Sequence, residues 1–199
     1  MANFRTEGTV GARIKFARRE RGFRTAREFA ESLRGGNVTA AVVENIESGR
    51  KADISITQLL NIAHGLGTPV SYLLAPIGRP NAKMDLQNLN VELADMTAAQ
   101  FDCWLSATPL SSYRPRWAGE RDDIEALGTL RQLGTFQREL ERLRLVMNVQ
   151  SASGDVELIN ANKDVERQIE AVAKEVARLV GLLESGGFVD VAGEGADSE

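Results

Sequence analysis

The chain has 199 residues, 43% hydrophobic and 26% charged, with a net charge of −4 and one cysteine, Cys103. These values describe an ordinary globular composition with room for one large domain or two small ones. They argue against an internal disulfide, a membrane span and a signal-peptide core, so a cytoplasmic protein is expected.

The charge is unevenly placed. Residues 1–80 carry 12 Lys and Arg against 7 Asp and Glu, and residues 81–199 carry 12 against 21. The N-terminal excess gathers between Arg13 and Arg27, where Arg13, Lys15, Arg18, Arg19, Arg21, Arg24 and Arg27 face one acid, Glu20. Such a patch suits phosphate, or else forms a solvated helix face.

A first helix is expected over 10–21, burying Val10, Ile14 and Ala17 at helical spacing. The stretch Thr25–Arg50 then reads as two helices, TAREFAESL and VTAAVVENIESGR, joined by a turn of Arg34, Gly35, Gly36 and Asn37. In the first, Phe29, Ala30 and Leu33 point inward. In the second, Thr39 is suited to cap, Val43 and Ile46 share an apolar face, and Gly49 is suited to a left-handed stop. Ser55 with Gln58 predicts a capping box for a fourth helix that buries Leu59, Ile62, Ala63 and Leu66. Thr68 as cap and Pro69 as first residue predict a fifth, closed by Leu73 and Leu74.

These residues resemble the Xre/Cro-like family of bacterial and phage repressors. The likeness runs from about Val10 to Leu74 and rests on the basic first helix, TAREFAESL, the Ile46-Glu47-Ser48-Gly49 signature and SITQLLNIAHGLGTPVSYLL. The Gly22–Phe29 connection is one residue longer than the usual spacing, and the turn after Leu33 about three longer. The resemblance implies a five-helix, lambda-repressor-like helix-turn-helix domain over residues 1–75, with double-stranded DNA as partner and no cofactor. It implies that Thr39, Ala40, Ala41, Glu44 and Asn45 face the DNA. Asn45 falls where the family has a base-contacting amide, suited to adenine; Glu44 is suited to accept from a cytosine amine; Ala40 and Ala41 offer only methyl groups, suited to thymine. Arg24, Thr39, Arg50 and Lys51 suit phosphate.

APIGRPNA, with Pro76, Gly78 and Pro80, predicts a linker over 76–82. Beyond it Leu86, Leu89 and Leu93 have helical spacing, and Thr97 with Gln100 forms a second capping box opening a helix with Phe101, Trp104 and Leu105 on one side. Cys103 beside Trp104 reads as packing. Tyr113 and Trp117 mark a proline-rich connection whose Arg114 and Arg116 read as structural before phosphate-binding.

The C-terminal part predicts an antiparallel helical hairpin. Leu133, Phe136, Leu140, Leu143 and Met147 repeat at 3 and 4 on a helix from near Arg121, and Ser151–Asp155 supplies the connection. Leu158, Asn162, Val165, Ile169, Val172, Val176, Leu179 and Leu183 follow at alternating spacings of 4 and 3, a coiled-coil seam with one polar member. The seam either covers the chain's own helices or pairs two subunits. A homodimer is expected, through a helical oligomerisation domain over 83–185, followed by a disordered acidic tail over 186–199.

Enzyme chemistry is not expected. The one histidine, His64, stands among core residues without metal-ligand neighbours, Gly35 and Gly36 lack a phosphate-loop ending, and Asp122 and Asp123 suit a helix start. The expected whole is an all-α chain that binds DNA as a dimeric transcriptional regulator, most simply a repressor. The alternative is a protein-interaction module, an antitoxin or adaptor, whose C-terminal helices bind another protein.

Overall fold

A computed structural model of the chain describes residues 4–33, 36–108, 113–152 and 156–191, with the backbone alone at 152 and 156–161. Among the described residues the fold is all-helical, with 66% of residues in helices and no strand. Helices α1 (Val10–Glu20), α2 (Ala26–Ser32), α3 (Ala40–Glu47), α4 (Ile56–Gly65), α5 (Val70–Leu74), α6 (Val91–Ala94) and α7 (Ala98–Leu105) precede two long ones, α8 (Ala118–Ala152) and α9 (Val156–Ser185). The chain divides into two compact units, Met1–Arg114 and Pro115–Glu199.

In the N-terminal unit the helix starts are fixed by short polar side chains. Thr9, Thr25, Thr39, Ser55, Asn90 and Thr97 each accept a hydrogen bond from the backbone N–H three residues on. Each such cap contributes about 1 kcal/mol by satisfying an amide that the helix leaves unpaired. Between the helices lies one apolar core, in which Ile14, Phe29, Val43 and Ile62 have no exposed surface.

Two arginines run through this core, which the apolar spacing of α1 does not foretell. Arg13 is fully buried. Its Nε donates to Leu73 O at 2.8 Å, Nη1 to Glu7 O at 2.8 Å and Asp85 Oδ2 at 2.6 Å, and Nη2 to Leu74 O at 3.1 Å and Asp85 Oδ1 at 2.8 Å. All five guanidinium protons are thus used, which is the condition under which a buried cation is tolerated. Arg18 clasps both carboxylate oxygens of Glu47 at 2.6 and 2.9 Å and donates to Phe23 O at 2.7 Å, joining α1 to the end of α3.

The Arg13–Asp85 bond explains why the N-terminal unit extends to Arg114 instead of ending at a linker. Segment 76–82 is pinned at both ends: Gly78 N–H donates to Arg5 O at 2.9 Å, Arg79 donates to Thr6 O, and Ala82 O accepts from Ala98 N–H at 2.8 Å. Ala75, Met84, Met96, Ala98 and Phe101 form a second small core, joined by Leu86, Leu89, Leu93 and Tyr113. The leucines at 86, 89 and 93 do not lie on one helix. Asp85 is held by Arg13, Asn88 takes a left-handed φ of 59°, and Asn90 starts a separate four-residue α6.

Other local expectations shift by a residue or lose a half. Ser55 caps α4, but Gln58 does not reach back; its Nε2 donates to Asn37 O at 3.1 Å and its buried Oε1 has no partner. Pro69 stands at the cap of α5, not inside it, and Thr68 Oγ1 donates backward to Leu66 O. The Thr97–Gln100 box is complete in both directions. On α7 the buried side holds Ala98, Phe101 and Cys103, while Trp104 and Leu105 are 36% and 42% exposed.

The C-terminal unit is a hairpin of α8 and α9. α8 starts at Ala118, just ahead of the expected Arg121, and Leu133, Leu140, Leu143, Leu179 and Leu183 are buried. α9 ends in a glycine stop: Gly187 has φ 87°, and Phe188 N–H donates to Leu183 O at 3.0 Å. Phe188 and Val191 then pack on the Leu133–Leu179–Leu183 cluster. The expected acidic tail therefore includes six residues, 186–191, that continue the hairpin; of the expected connection Ser151–Asp155, Ser151 and Ala152 belong instead to α8, and 153–155, like the tail beyond 191, lie outside the described residues.

Removing Asp85 leaves the Arg13 guanidinium buried with only carbonyl partners. Asp85→Ala is expected to destabilise the N-terminal unit by about 3 kcal/mol, seen as a lower urea midpoint at unchanged slope. An unchanged midpoint would show that the ion pair does not hold the unit together.

Candidate nucleic-acid interface

α2 and α3 pack against each other across a connection of residues 33–39. Its described part is tied down from α4: Asn37 Nδ2 donates to Thr57 Oγ1 at 3.0 Å, and Gln58 donates to Asn37 O. Gly36 takes a φ of 93°, and a Cβ there would meet Asn61 Nδ2 at 2.7 Å, so the turn lies close on α4. This polar clasp of Asn37, Thr57 and Gln58 escapes sequence periodicity because its partners are about 20 residues apart and polar.

α3 turns Val43 and Ile46 into the core and leaves Ala41 and Glu44 exposed on its opposite face, with Ala40 and Asn45 half-buried at its margins. Thr39 is exposed, and its Oγ1 accepts from Val42 N–H at 3.3 Å. At the other end Gly49 has φ 75°, and the chain curls back so that Lys51 N–H donates to Asn45 O at 3.0 Å. Arg50 is exposed, its Nε donating to Ser48 Oγ at 3.1 Å. Thr39, Ala40, Ala41, Glu44, Asn45, Arg50 and Lys51 therefore share α3 and the turn that closes it. Arg24 stands apart, exposed, just before α2.

The basic stretch is smaller as a surface feature than as a sequence feature. Arg13 and Arg18 are buried, Arg21 Nε donates to Leu66 O at 2.9 Å, and Arg27 pairs with Glu31 at 2.7 Å. The Glu47 carboxylate, chiefly by its hydrogen bond, raises the pKa of Arg18 above its ordinary value against the opposing effect of burial. Lys15, Arg19 and Arg24 make no side-chain bond among the described residues, so they, with Lys51 and Arg50, are the cations best placed to take a phosphate. Lys15 lies on the stripe of α1 that also carries Gly11 and Arg18, and both of these touch the end of α3: a Cβ on Gly11 would stand 2.2 Å from Ile46 O.

The C-terminal residues of the α9 seam meet α8 of the same chain. Leu179 and Leu183 are buried against Leu133, Val176 packs beside them, and Asn162, Val165, Ile169 and Val172 are half-buried. Asn162 Oδ1 is buried without a hydrogen-bond partner among the described residues. The side chain of Leu158 lies outside the described residues. His64 is exposed, and among the described residues no cluster of His, Cys, Asp and Glu has the arrangement of a metal site. No helix there is long and apolar enough to cross a membrane.

No protein-family model matches the chain, nor does any curated protein or solved structure.

Because the atom nearest to a Cβ on Gly11 is backbone, no side-chain rotation relieves the clash. Gly11→Ala is expected to push α1 from α3, lowering the thermal midpoint by an amount equivalent to about 1–3 kcal/mol. A variant as stable as the parent would show that α1 and α3 are not in this register.

Proposed function

We propose that the chain is a sequence-specific, double-stranded-DNA-binding transcriptional regulator, most simply a repressor, that acts in the cytoplasm and engages operator half-sites as a dimer. One observation carries this reading. The short helix α3 is held from behind by Val43, Ile46 and the Arg18–Glu47 clasp, while its outer face, Ala41 and Glu44 with Asn45 and Ala40 at the edges, is left to solvent beside Arg50 and Lys51. A rigid helix with a small, polar-edged outer face and cations at its end suits the major groove, where the helix reads base edges and the cations fix its depth on phosphate. The likeness of 10–74 to Xre/Cro-like repressors points the same way.

The chemistry of that face sets what it reads. Asn45 is suited to pair with adenine and Glu44 to accept from a cytosine amine, and the alanines admit close approach to thymine methyls. So few polar readers leave much of the discrimination to DNA shape and to the pairing of half-sites.

The second reading, a protein-interaction module with auxiliary DNA binding, draws on the outward leucines of α8, where Leu145 is 65% exposed.

Two substitutions separate base reading from phosphate contact. Asn45→Ala is expected to narrow the affinity gap between the selected site and random duplex, at a cost of roughly 1–3 kcal/mol on the selected site. Arg50→Ala is expected to weaken binding to both duplexes alike and to reduce the slope of log affinity against log salt by about 1. Anisotropy titrations over a salt series read both, and identical behaviour of the two variants would reject the division of roles.

A further inference from the structure

The hairpin buries the inner faces of α8 and α9 against each other, yet α8 keeps a second apolar stripe that stays partly exposed among the described residues. Leu127 and Leu130 are 38% and 41% exposed near its start, and Leu145 and Val149 are 65% and 64% exposed near its end. Leu127 and Leu145 are separated by five whole helical turns, roughly 27 Å, and so share one azimuth. Gly134 lies between them on the same side. It has no neighbour within van der Waals contact except the tip of its own Arg138, at 3.8 Å from the place of a Cβ. A glycine inside a helix destabilises it, and this one leaves on the outer face a hollow that, among the described residues, only the tip of Arg138 borders.

We infer that this outer face of α8 is where a second copy of the chain docks, antiparallel, about a two-fold axis near Arg138. The inference rests on the pairing of copies proposed above and gives it a surface. The stripe is self-complementary about that point: Leu127 of one copy meets Val149 of the other, and Leu130 meets Leu145. An isologous contact requires this relation. Charge follows the same symmetry. Arg138 stands at the axis and Glu141 about one turn beyond it, so the antiparallel arrangement sets Arg138 of each copy diagonally opposite Glu141 of the other, offset by about 4.5 Å along the helices and within reach of a long side chain. Glu141 is exposed and makes no ion pair among the described residues. The hollow at Gly134 lets the two helices approach closely where these charged side chains cross. The seam of α9, already facing α8, is left to hold each hairpin together.

The test is sedimentation equilibrium of the full chain and its variants, with helicity followed by circular dichroism. The parent is expected to dimerise, and Leu145→Glu to weaken the dimer by at least ~30-fold at unchanged helicity. Arg138→Glu and Glu141→Arg are each expected to weaken it, and the double reversal to restore it, a rescue that a merely unfolded variant does not give. A parent that dimerises while Leu145→Glu and both charge reversals leave its dissociation constant unchanged overturns this face and spares the pairing. A parent that stays monomeric at all concentrations overturns the pairing itself.

Discussion

The N-terminal unit depends on one buried cation. Removing a guanidinium from water costs several kcal/mol unless every proton is satisfied, and Arg13 meets that condition by gathering acceptors from three parts of the chain. Those parts are the turn before α1, the end of α5, and Asp85. A carbonyl at Leu73 or Leu74 and a carboxylate at Asp85 come to the same guanidinium only if α1, α5 and the segment after it are correctly registered. The ion pair therefore acts as a registration device as much as a source of stability. It also explains why residues 76–114, whose own small core holds few side chains, belong to the same body as the first five helices.

A second consequence concerns charge. Arg13 has no donor left for phosphate, and Arg18 is buried against Glu47. Arg13 and Arg18 hold the scaffold, Arg21 and Arg27 are engaged on its surface, and Lys15, Arg19, Arg24, Arg50 and Lys51 remain for a ligand. Any electrostatic pull on DNA thus comes from a smaller and more localised set than the basic run suggests, against a C-terminal half that is strongly acidic. In the proposed reading, recognition then relies on placing two α3 helices together as much as on the contacts of one.

Much of the N-terminal fold is legible in the sequence because its signals are local. Thr39, Ser55 and Thr97 announce helix starts, Gly49 announces a stop, and the apolar spacing of Ile14, Phe29, Val43, Ile46 and Ile62 marks a core that the structure buries. What escapes is what depends on distant partners. Nothing near Arg13 in sequence signals that Asp85 awaits it, so the arginine reads as part of a basic surface. The leucines at 86, 89 and 93 mimic a helix, but the tether at Asp85 and the left-handed Asn88 override the spacing. Likewise the 4-3 pattern of α9 identifies a helix that packs along its length and does not say against which partner. In the structure that partner is α8. The candidate reading face is legible because exposure on α3 follows directly from the burial of Val43 and Ile46, whereas the clasp of Asn37 by Thr57 and Gln58 is not.

The central claim is that α3, held rigid from behind, reads paired sites on duplex DNA. The most direct test is selection from a random duplex library by the full-length protein at near-physiological salt, with the bound fraction sequenced. Two copies of one short motif at a fixed spacing of about one helical turn or a multiple of it is the predicted result. Recovery without any enriched motif, vanishing as salt is raised, would contradict the account and leave only phosphate attraction.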